Sequence, residues 1–166
     1  MKRVVLSPRR LQSRVSRTFF LGRMRIRKGE YEIDTDKRRI DIAAVHRFLS
    51  QESYWAANRS LEQTLTAIEN SLCFGMYKGR EQVGFARVIT DKATFAYLGD
   101  VFVLSAHRGS GLSKWLMKTI LEQPDMQGLR RWLLATRDAH GLYEQFGFAG
   151  LVYPERWMEK TAPNAY

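Results

Sequence analysis

The chain has 166 residues, of which 45% are hydrophobic and 27% are charged. This composition is typical of one globular domain and excludes an intrinsically disordered chain. No apolar run approaches the roughly 18 to 20 residues that a membrane-spanning helix needs, so we do not expect an integral membrane protein.

The net charge of +10 comes from one end of the chain. Residues 1–28 contain ten basic side chains and no acidic one, whereas residues 29–166 contain 17 of each sign. We predict a disordered basic extension over residues 1–28 and one folded domain over residues 29–166. The extension has three interpretations: an organelle presequence, a nucleic-acid-binding arm, or residues upstream of a start at Met24. The neutral domain argues against a nucleic-acid partner, except through this extension.

The cysteine and histidine residues favour neither a disulfide nor a metal site. Cys73 is the only cysteine and lies in an apolar run, which favours a reducing, cytoplasmic setting. His46, His107 and His140 lack the spacing of metal ligands. We therefore predict that the protein binds no metal.

The first half of the chain predicts a strand followed by two helices. The elements are a short strand (31–33), a helix (42–49), a loop (51–59) and a second helix that starts near residue 61. Ser60 and Gln63 form a capping-box pattern at the start of the second helix. Leu61, Leu65 and Ile68 recur at helical spacing, which predicts its buried face.

The second half predicts a three-stranded meander and then alternating helices and strands. The elements are three strands (72–77, 82–90 and 94–104), a loop (105–111), a helix (112–120), a strand (131–136), a short helix (139–146) and two terminal strands (148–153 and 156–160). Asp138 is a candidate N-cap of the short helix, and Gly147 ends that helix.

The glycine-rich turn before the helix over 112–120 is the most informative segment. The start of a helix offers unpaired backbone N–H groups and the positive end of its dipole, which together bind phosphate oxygens. Gly109 and Gly111 allow the backbone to approach a ligand closely. A turn of small residues at a helix start explains the same pattern, and the segment has neither a Walker lysine nor the spacing of a dinucleotide fingerprint.

Two motifs resemble those of the GNAT superfamily of N-acetyltransferases. Residues 108–113, Arg-Gly-Ser-Gly-Leu-Ser, are similar to the family's Arg/Gln-x-x-Gly-x-Gly/Ala pyrophosphate loop, with Ser113 in place of Gly or Ala. Residues 139–148 are similar to the family's Ala-x-x-Leu-Tyr-x-x-x-Gly-Phe motif. Thr136 stands where many members have an Asn that contacts the cofactor. The resemblance covers about residues 30–160 and agrees with the predicted order of elements.

The resemblance implies an α+β fold with a mixed, mostly antiparallel central sheet and about four flanking helices. It also implies acetyl-CoA as co-substrate, with the strand backbone holding the pantetheine and thioester and the loop amides holding the pyrophosphate. The implied cofactor-binding residues are Val101, Phe102, Val103, Arg108, Gly109, Ser110, Gly111, Leu112, Ser113 and Thr136.

Asp100 and Tyr143 are the candidate catalytic residues. A protonated amine must lose a proton before it attacks a thioester, so a carboxylate, or a water held by one, is useful near the acceptor. Asp100 interrupts an apolar strand, where a charge is costly unless it is paired or functional. A carboxylate that accepts backbone hydrogen bonds at a strand bulge is the equal alternative. A backbone N–H at residues 101–103 could stabilise an oxyanion, and the resemblance implies Tyr143 as the acid that protonates the leaving thiolate.

The acceptor site is predicted less directly. Tyr54, Trp55 and Arg59 lie in the connection between the first two helices, which borders the acceptor pocket in GNAT relatives, and His140 is a further candidate. Trp55 could equally cover the core. We expect a small-molecule or peptide amine as acceptor and a monomer or homodimer. The alternative function is a CoA-binding sensor or interaction domain without turnover.

Overall fold

The computed structural model describes the backbone of residues 16–20 and, with their side chains, residues 23–163. Seven strands form one sheet in the order of the sequence. They are β1 (Ser16–Phe20), β2 (Arg23–Lys28), β3 (Tyr31–Asp34), β4 (Leu72–Lys78), β5 (Glu81–Thr90), β6 (Phe95–Val103) and β7 (Arg131–Leu133). Neighbouring strands are antiparallel except for β6 and β7, which are parallel.

Four α-helices flank the sheet in the described residues: α1 (Ile42–Arg47), α2 (Leu61–Glu69), α3 (Leu112–Leu121) and α4 (His140–Tyr143). The Asp41 side chain accepts a hydrogen bond from the Ala44 N–H and caps α1. The predicted capping box of Ser60 and Gln63 starts α2. None of the helices in residues 23–163 has the length and apolar content that a membrane span needs.

The two faces of the sheet carry separate hydrophobic cores. On one face, α3 buries Leu112, Leu116 and Ile120 against the inward side chains of β2 to β6. On the other face, α1, α2 and a π-helical turn over Phe48–Glu52 pack on Phe85 and Phe102. Strand β6 lies between these two cores, and the candidate functional site is at the C-terminal part of this strand.

The sheet begins before residue 29, so the predicted boundary between extension and domain is wrong. In β2, Met24 and Ile26 are each 1% exposed and belong to the core on the α3 face. Alternate residues point outward, where Arg25 and Arg27 pair with Glu32 of β3. The basic residues therefore form the outer face of a strand, and the acidic residues of β3 offset their charge. The predicted disorder of residues 1–15 lies outside the described residues.

The predicted C-terminal strands are also wrong. Residues 148–163 contain no strand, and their one regular element is a 3-10 turn over Pro154–Arg156. Pro154 has no N–H to give to a sheet. The segment is held by cation–π contacts instead, with Arg131 over the Trp157 ring at 4.8 Å and Arg156 over the Tyr153 ring at 3.8 Å.

Ile26→Ala tests whether β2 is part of the folded domain. Truncation of a fully buried isoleucine costs about 2 to 5 kcal/mol of unfolding free energy. We expect a loss of this size in urea denaturation, whereas Arg27→Ala, which truncates a 64% exposed side chain on the outer face of the same strand, should cost much less. Equal stability of Ile26→Ala and the wild type would contradict the placement of β2 in the core.

Candidate functional site

A β-bulge in β6 opens the sheet at the candidate site. Phe85 and Arg87 of β5 pair with Phe102 and Gly99 of β6, so Asp100 and Val101 together lie opposite one residue. Asp100 has φ +54°, a left-handed conformation that is uncommon outside glycine. β7 pairs only with residues 95–97 of β6. Within the described residues, the stretch 98–103 therefore has no strand partner on the β7 side.

The bulge directs the Asp100 carboxylate to two arginines. Arg59 Nη1, from the connection before α2, donates to Asp100 Oδ2 at 2.6 Å. Arg87 Nε, from β5, donates to the same oxygen at 2.5 Å, and Arg87 Nη1 donates to Ser71 Oγ at 3.2 Å. The structure thus brings together the predicted residues Asp100 and Arg59, which lie 41 positions apart in the chain.

This arrangement makes Asp100 a poor proton acceptor. Burial raises the pKa of Asp100, but the hydrogen bonds and charges of Arg59 and Arg87 outweigh burial and lower it below its ordinary value. The carboxylate is therefore charged at neutral pH, and protonation would weaken both ion pairs. The geometry matches the alternative weighed for this residue, a carboxylate held at a strand bulge, although its partners are guanidinium groups.

The glycine-rich loop presents a row of free backbone donors. Gly109 has φ +83° and Gly111 has φ +76°, so both adopt the left-handed region that favours glycine. Gly111 is the N-cap of α3. The N–H groups of residues 109–113 donate to no acceptor in the described part of the chain. A row of free amides at the start of a ten-residue helix is suited to an anion such as a phosphate.

Four of the predicted cofactor-binding residues use their side chains for contacts within the protein. Leu112 and Val103 are buried in the α3 core. Phe102 stacks on Phe48 with ring centroids 3.9 Å apart. Arg108 folds back, and its Nε donates to the Val103 carbonyl oxygen at 2.8 Å. Contact with a cofactor through these residues would therefore be made by the backbone.

Tyr143 lies on α4 with its ring buried against Phe148, at a centroid distance of 6.0 Å. Its hydroxyl makes no hydrogen bond within the described residues. Burial, with smaller contributions from Tyr54, Asp138 and Tyr97, raises the pKa of Tyr143 to about 12. The phenol is therefore protonated at neutral pH and able to donate a proton.

Tyr54 links the α1–α2 connection to the loop before α4. Its hydroxyl donates to Asp138 Oδ1 at 3.2 Å and accepts from the Arg137 N–H at 2.8 Å. The Arg137 guanidinium lies 3.8 Å from the Tyr54 ring centroid. Trp55 meets Tyr54 edge-on, and its indole nitrogen is buried with no acceptor within the described residues. These contacts connect Tyr54 and Trp55, two of the acceptor candidates, to the loop before α4.

Two predicted residues lie at the edge of the site or outside it. His140 is exposed at the first position of α4. The Thr136 hydroxyl accepts a hydrogen bond from the Ala139 N–H at 3.0 Å, so it shapes the turn into α4. Asp138 was predicted to cap this helix, and that prediction is wrong: Ala139 is the N-cap, and Asp138 instead binds Tyr54.

Sequence analysis missed Arg87, Arg137 and Asp138 as members of the site. Arg87 carried a usable signal, because it is a charged residue inside an apolar strand, the same feature that singled out Asp100. Arg137 and Asp138 lie in a loop and depend on a contact 83 and 84 positions away, to which no local pattern points. Within the described residues no group of three metal-ligating side chains occurs.

Comparison with known proteins gives a consistent result. A sequence model of the acetyltransferase (GNAT) family matches residues 42–148. A protein of Gibberella zeae, described as a candidate acetyltransferase, is 33% identical over an alignment of 138 residues that covers 70% of this chain and 77% of that protein. The range matched by the family model includes the glycine-rich loop and α3.

Solved structures share the fold. The crystal structure of a candidate GNAT-family acetyltransferase from Xanthomonas campestris pv. campestris is 52% identical, with a TM-score of 0.78, and the match covers 80% of this chain and 94% of that chain. A predicted acetyltransferase of Clostridium acetobutylicum, solved with acetyl-CoA, is 14% identical with a TM-score of 0.56, over 79% of this chain and 94% of that chain. The predicted α+β fold class is confirmed.

Asp100→Asn tests the buried ion pairs. Loss of the carboxylate charge leaves two largely buried guanidiniums without a counter-ion, and we expect it to cost about 3 to 5 kcal/mol of unfolding free energy at pH 7. Because the pKa of Asp100 is lowered on folding, its contribution is present above the ordinary value of 3.8 and is lost as pH falls through the folded-state pKa.

Urea denaturation of the wild type and Asp100→Asn from pH 7 down to pH 3 measures this effect. The difference in unfolding free energy between the two proteins should shrink below pH 4. Other acidic groups with lowered pKa values, such as Asp34, occur in both proteins and cancel in the difference. A difference that stays constant with pH would show that Asp100 contributes through packing alone.

Proposed function

Because the chain belongs to the acetyltransferase (GNAT) family, we propose that it transfers an acetyl group from acetyl-CoA to a primary amine, by direct attack in a ternary complex. The observation that carries this proposal is the row of free amides at residues 109–113, next to the unpaired stretch of β6. Together they offer a phosphate-binding turn and an open strand edge to one extended ligand. The acceptor is a small-molecule or peptide amine.

The loop would hold the pyrophosphate of acetyl-CoA through backbone groups. The amides of residues 109–113 and the dipole of α3 supply hydrogen bonds and positive potential without a side-chain cation. The open edge of β6 at residues 101–103 supplies backbone groups for the pantetheine arm and an N–H for the thioester carbonyl oxygen. When bound, acetyl-CoA supplies an acetyl thioester, whose carbonyl carbon is open to attack by an amine.

Tyr143 is the proposed general acid. The amine nitrogen forms a bond to the carbonyl carbon and the carbon–sulfur bond breaks, so the sulfur needs a proton. Tyr143 would give its phenolic proton to the sulfur, the nitrogen would release one proton to water as the amide forms, and Tyr143 would recover a proton from solvent. The phenol is protonated at neutral pH, as this role requires, and burial, which raises its pKa to about 12, makes it a weaker acid than an exposed tyrosine.

Asp100 is proposed as a positioning residue. Two guanidinium partners and a lowered pKa make it a weak base, so the acceptor ammonium would lose its proton to water. Asp100 holds the side chains of Arg59 and Arg87 at the bulge of β6, and Tyr54 and Trp55, from the same connection as Arg59, border the proposed acceptor region. His140 lies too far into solvent to be given a part in this scheme.

A reducing, cytoplasmic setting agrees with the free thiol. Cys73 is buried, and burial raises its pKa to about 11, so it is unreactive at neutral pH. The thiol therefore takes no part in the proposed chemistry, and the acetyl group passes directly from acetyl-CoA to the amine.

Gly111→Ala tests the phosphate-binding loop. A side chain at φ +76° strains the turn that orients the free amides, so we expect the acetyl-CoA dissociation constant to rise about tenfold, which is roughly 1.4 kcal/mol. Gly128→Ala is the matched control, because Gly128 has φ +78°, has equally open surroundings and lies outside the loop. Calorimetric titration with acetyl-CoA measures both variants. Equal affinities in Gly111→Ala and Gly128→Ala would remove the loop from the binding site.

Tyr143→Phe tests the general acid. We expect kcat to fall by about 100-fold or more, with little change in acetyl-CoA affinity, because only the proton donor is lost. Tyr153→Phe is the control, since it removes a hydroxyl from an exposed ring. An unchanged kcat in Tyr143→Phe would exclude this residue as the acid. Acetyl-CoA binding without transfer to any amine would point to a CoA-binding domain without turnover.

A further inference from the structure

Three charged side chains meet beside the acceptor region, and their charges do not cancel. Arg59 and Arg87 donate to the same oxygen of Asp100. The side chains of Arg59, Arg87 and Asp100 are 19%, 13% and 3% exposed. Two cations and one anion leave one net positive charge in a cluster that is largely removed from water. Such a charge is costly unless an anion lies against it.

The two guanidiniums also have unused hydrogen-bond donors. Each guanidinium has five N–H groups. Arg59 donates through Nη1, and Arg87 donates through Nε to Asp100 and through Nη1 to Ser71. Within residues 23–163 no acceptor is present for Arg59 Nε and Nη2 or for Arg87 Nη2. These donors fit a planar acceptor with two oxygens, such as a carboxylate.

A groove leads to this cluster. It lies between α2 and β5 and has a volume of about 790 Å³. Arg87 and one acidic residue, Glu62, are its charged lining residues, and the others include Ser60, Gln63, Ser71 and Ile89. A groove of this size accommodates a small molecule. Asp100 directly precedes residues 101–103 of β6, where the acetyl group is proposed to lie. An acceptor anchored at the cluster would therefore begin next to the reacting carbon.

We propose that Arg59 and Arg87 bind a carboxylate of the acceptor, so that the acetylated amine belongs to an amino acid or a similar carboxylate-bearing molecule. This inference rests on the proposed acetyl transfer. One carboxylate balances the one net positive charge, whereas a doubly charged phosphate would leave an excess of negative charge. Asp100 then fixes the two guanidiniums in the orientation that receives the carboxylate.

Matched pairs of acceptors test the inference. Amino acids with an amino group one, two or three carbons from the carboxylate are compared with their amides, which lack only the negative charge. Acetyl transfer by the full chain is measured as kcat/KM, corrected for the fraction of free amine in each acceptor. We expect at least one acid to be preferred over its amide by about 10-fold to 100-fold, the size of a charge-assisted hydrogen bond.

The variant Arg59→Gln should remove most of this preference by raising KM for the acid. It leaves the Asp100–Arg87 pair in place, so folding should be retained. Arg59→Lys should restore the preference only in part, because it keeps the charge but loses the planar fork. Arg80→Gln removes an exposed positive charge from the turn between β4 and β5 and should leave the preference unchanged.

The outcomes separate this inference from the proposed function. Equal transfer to acids and amides would keep the acetyltransferase and overturn the carboxylate site. Better transfer to phosphoethanolamine than to every amino acid would overturn the carboxylate in favour of a phosphate. Failure to acetylate any amine would overturn the proposed function. Thermal denaturation with each acid and amide would then decide the site: stabilisation by acids alone, lost in Arg59→Gln, supports it, and no difference overturns it.

Discussion

The buried carboxylate of Asp100 is the constraint on which the rest of the site depends. It occupies the extra residue of a bulge, in a left-handed conformation that costs free energy for a non-glycine residue. The two guanidinium hydrogen bonds offset that cost and tie three segments together: β6, β5 and the connection before α2. Without the bulge, β6 would run straight, and β7 could pair along more of its length.

The two cores of the domain make the opening possible. On the α3 face, a large cluster that includes Leu112 and Leu116 fixes the start of α3, so the glycine-rich loop is held in place by the packing behind it. On the other face, the stacked rings of Phe48 and Phe102 fix the α1–α2 connection against β6. The loop that would bind a phosphate and the side chains that would bind an acceptor are thus positioned by independent sets of contacts.

Local patterns predicted the meander, the capping box of α2 and the glycine turn, because each depends on neighbours in the sequence. Local patterns gave wrong predictions where contacts between distant parts of the chain determine which residues are buried. In α2, Leu61 and Leu65 have the spacing of a buried face but are about half exposed, and the helix instead turns Thr64 and Ile68 inward, where Thr64 meets His46. The alternation in β2 was hidden by its basic side chains, whose acidic partners lie on β3.

The difference between local patterns and tertiary contacts also applies within the candidate site. The proposed cofactor-binding part consists of backbone amides and an open strand edge. Glycine spacing and strand order predict these well, whereas the identities of side chains such as Leu112 and Phe102 say little about them. The proposed acceptor-binding part consists of side chains from distant segments, including Arg59, Arg87 and Tyr54, and no local spacing predicts that they meet. The chemical class of the acceptor therefore has to be inferred from the charges and hydrogen-bond donors that those side chains leave without a partner in the folded protein. At the Asp100 bulge these are one net positive charge and the remaining guanidinium N–H groups of Arg59 and Arg87.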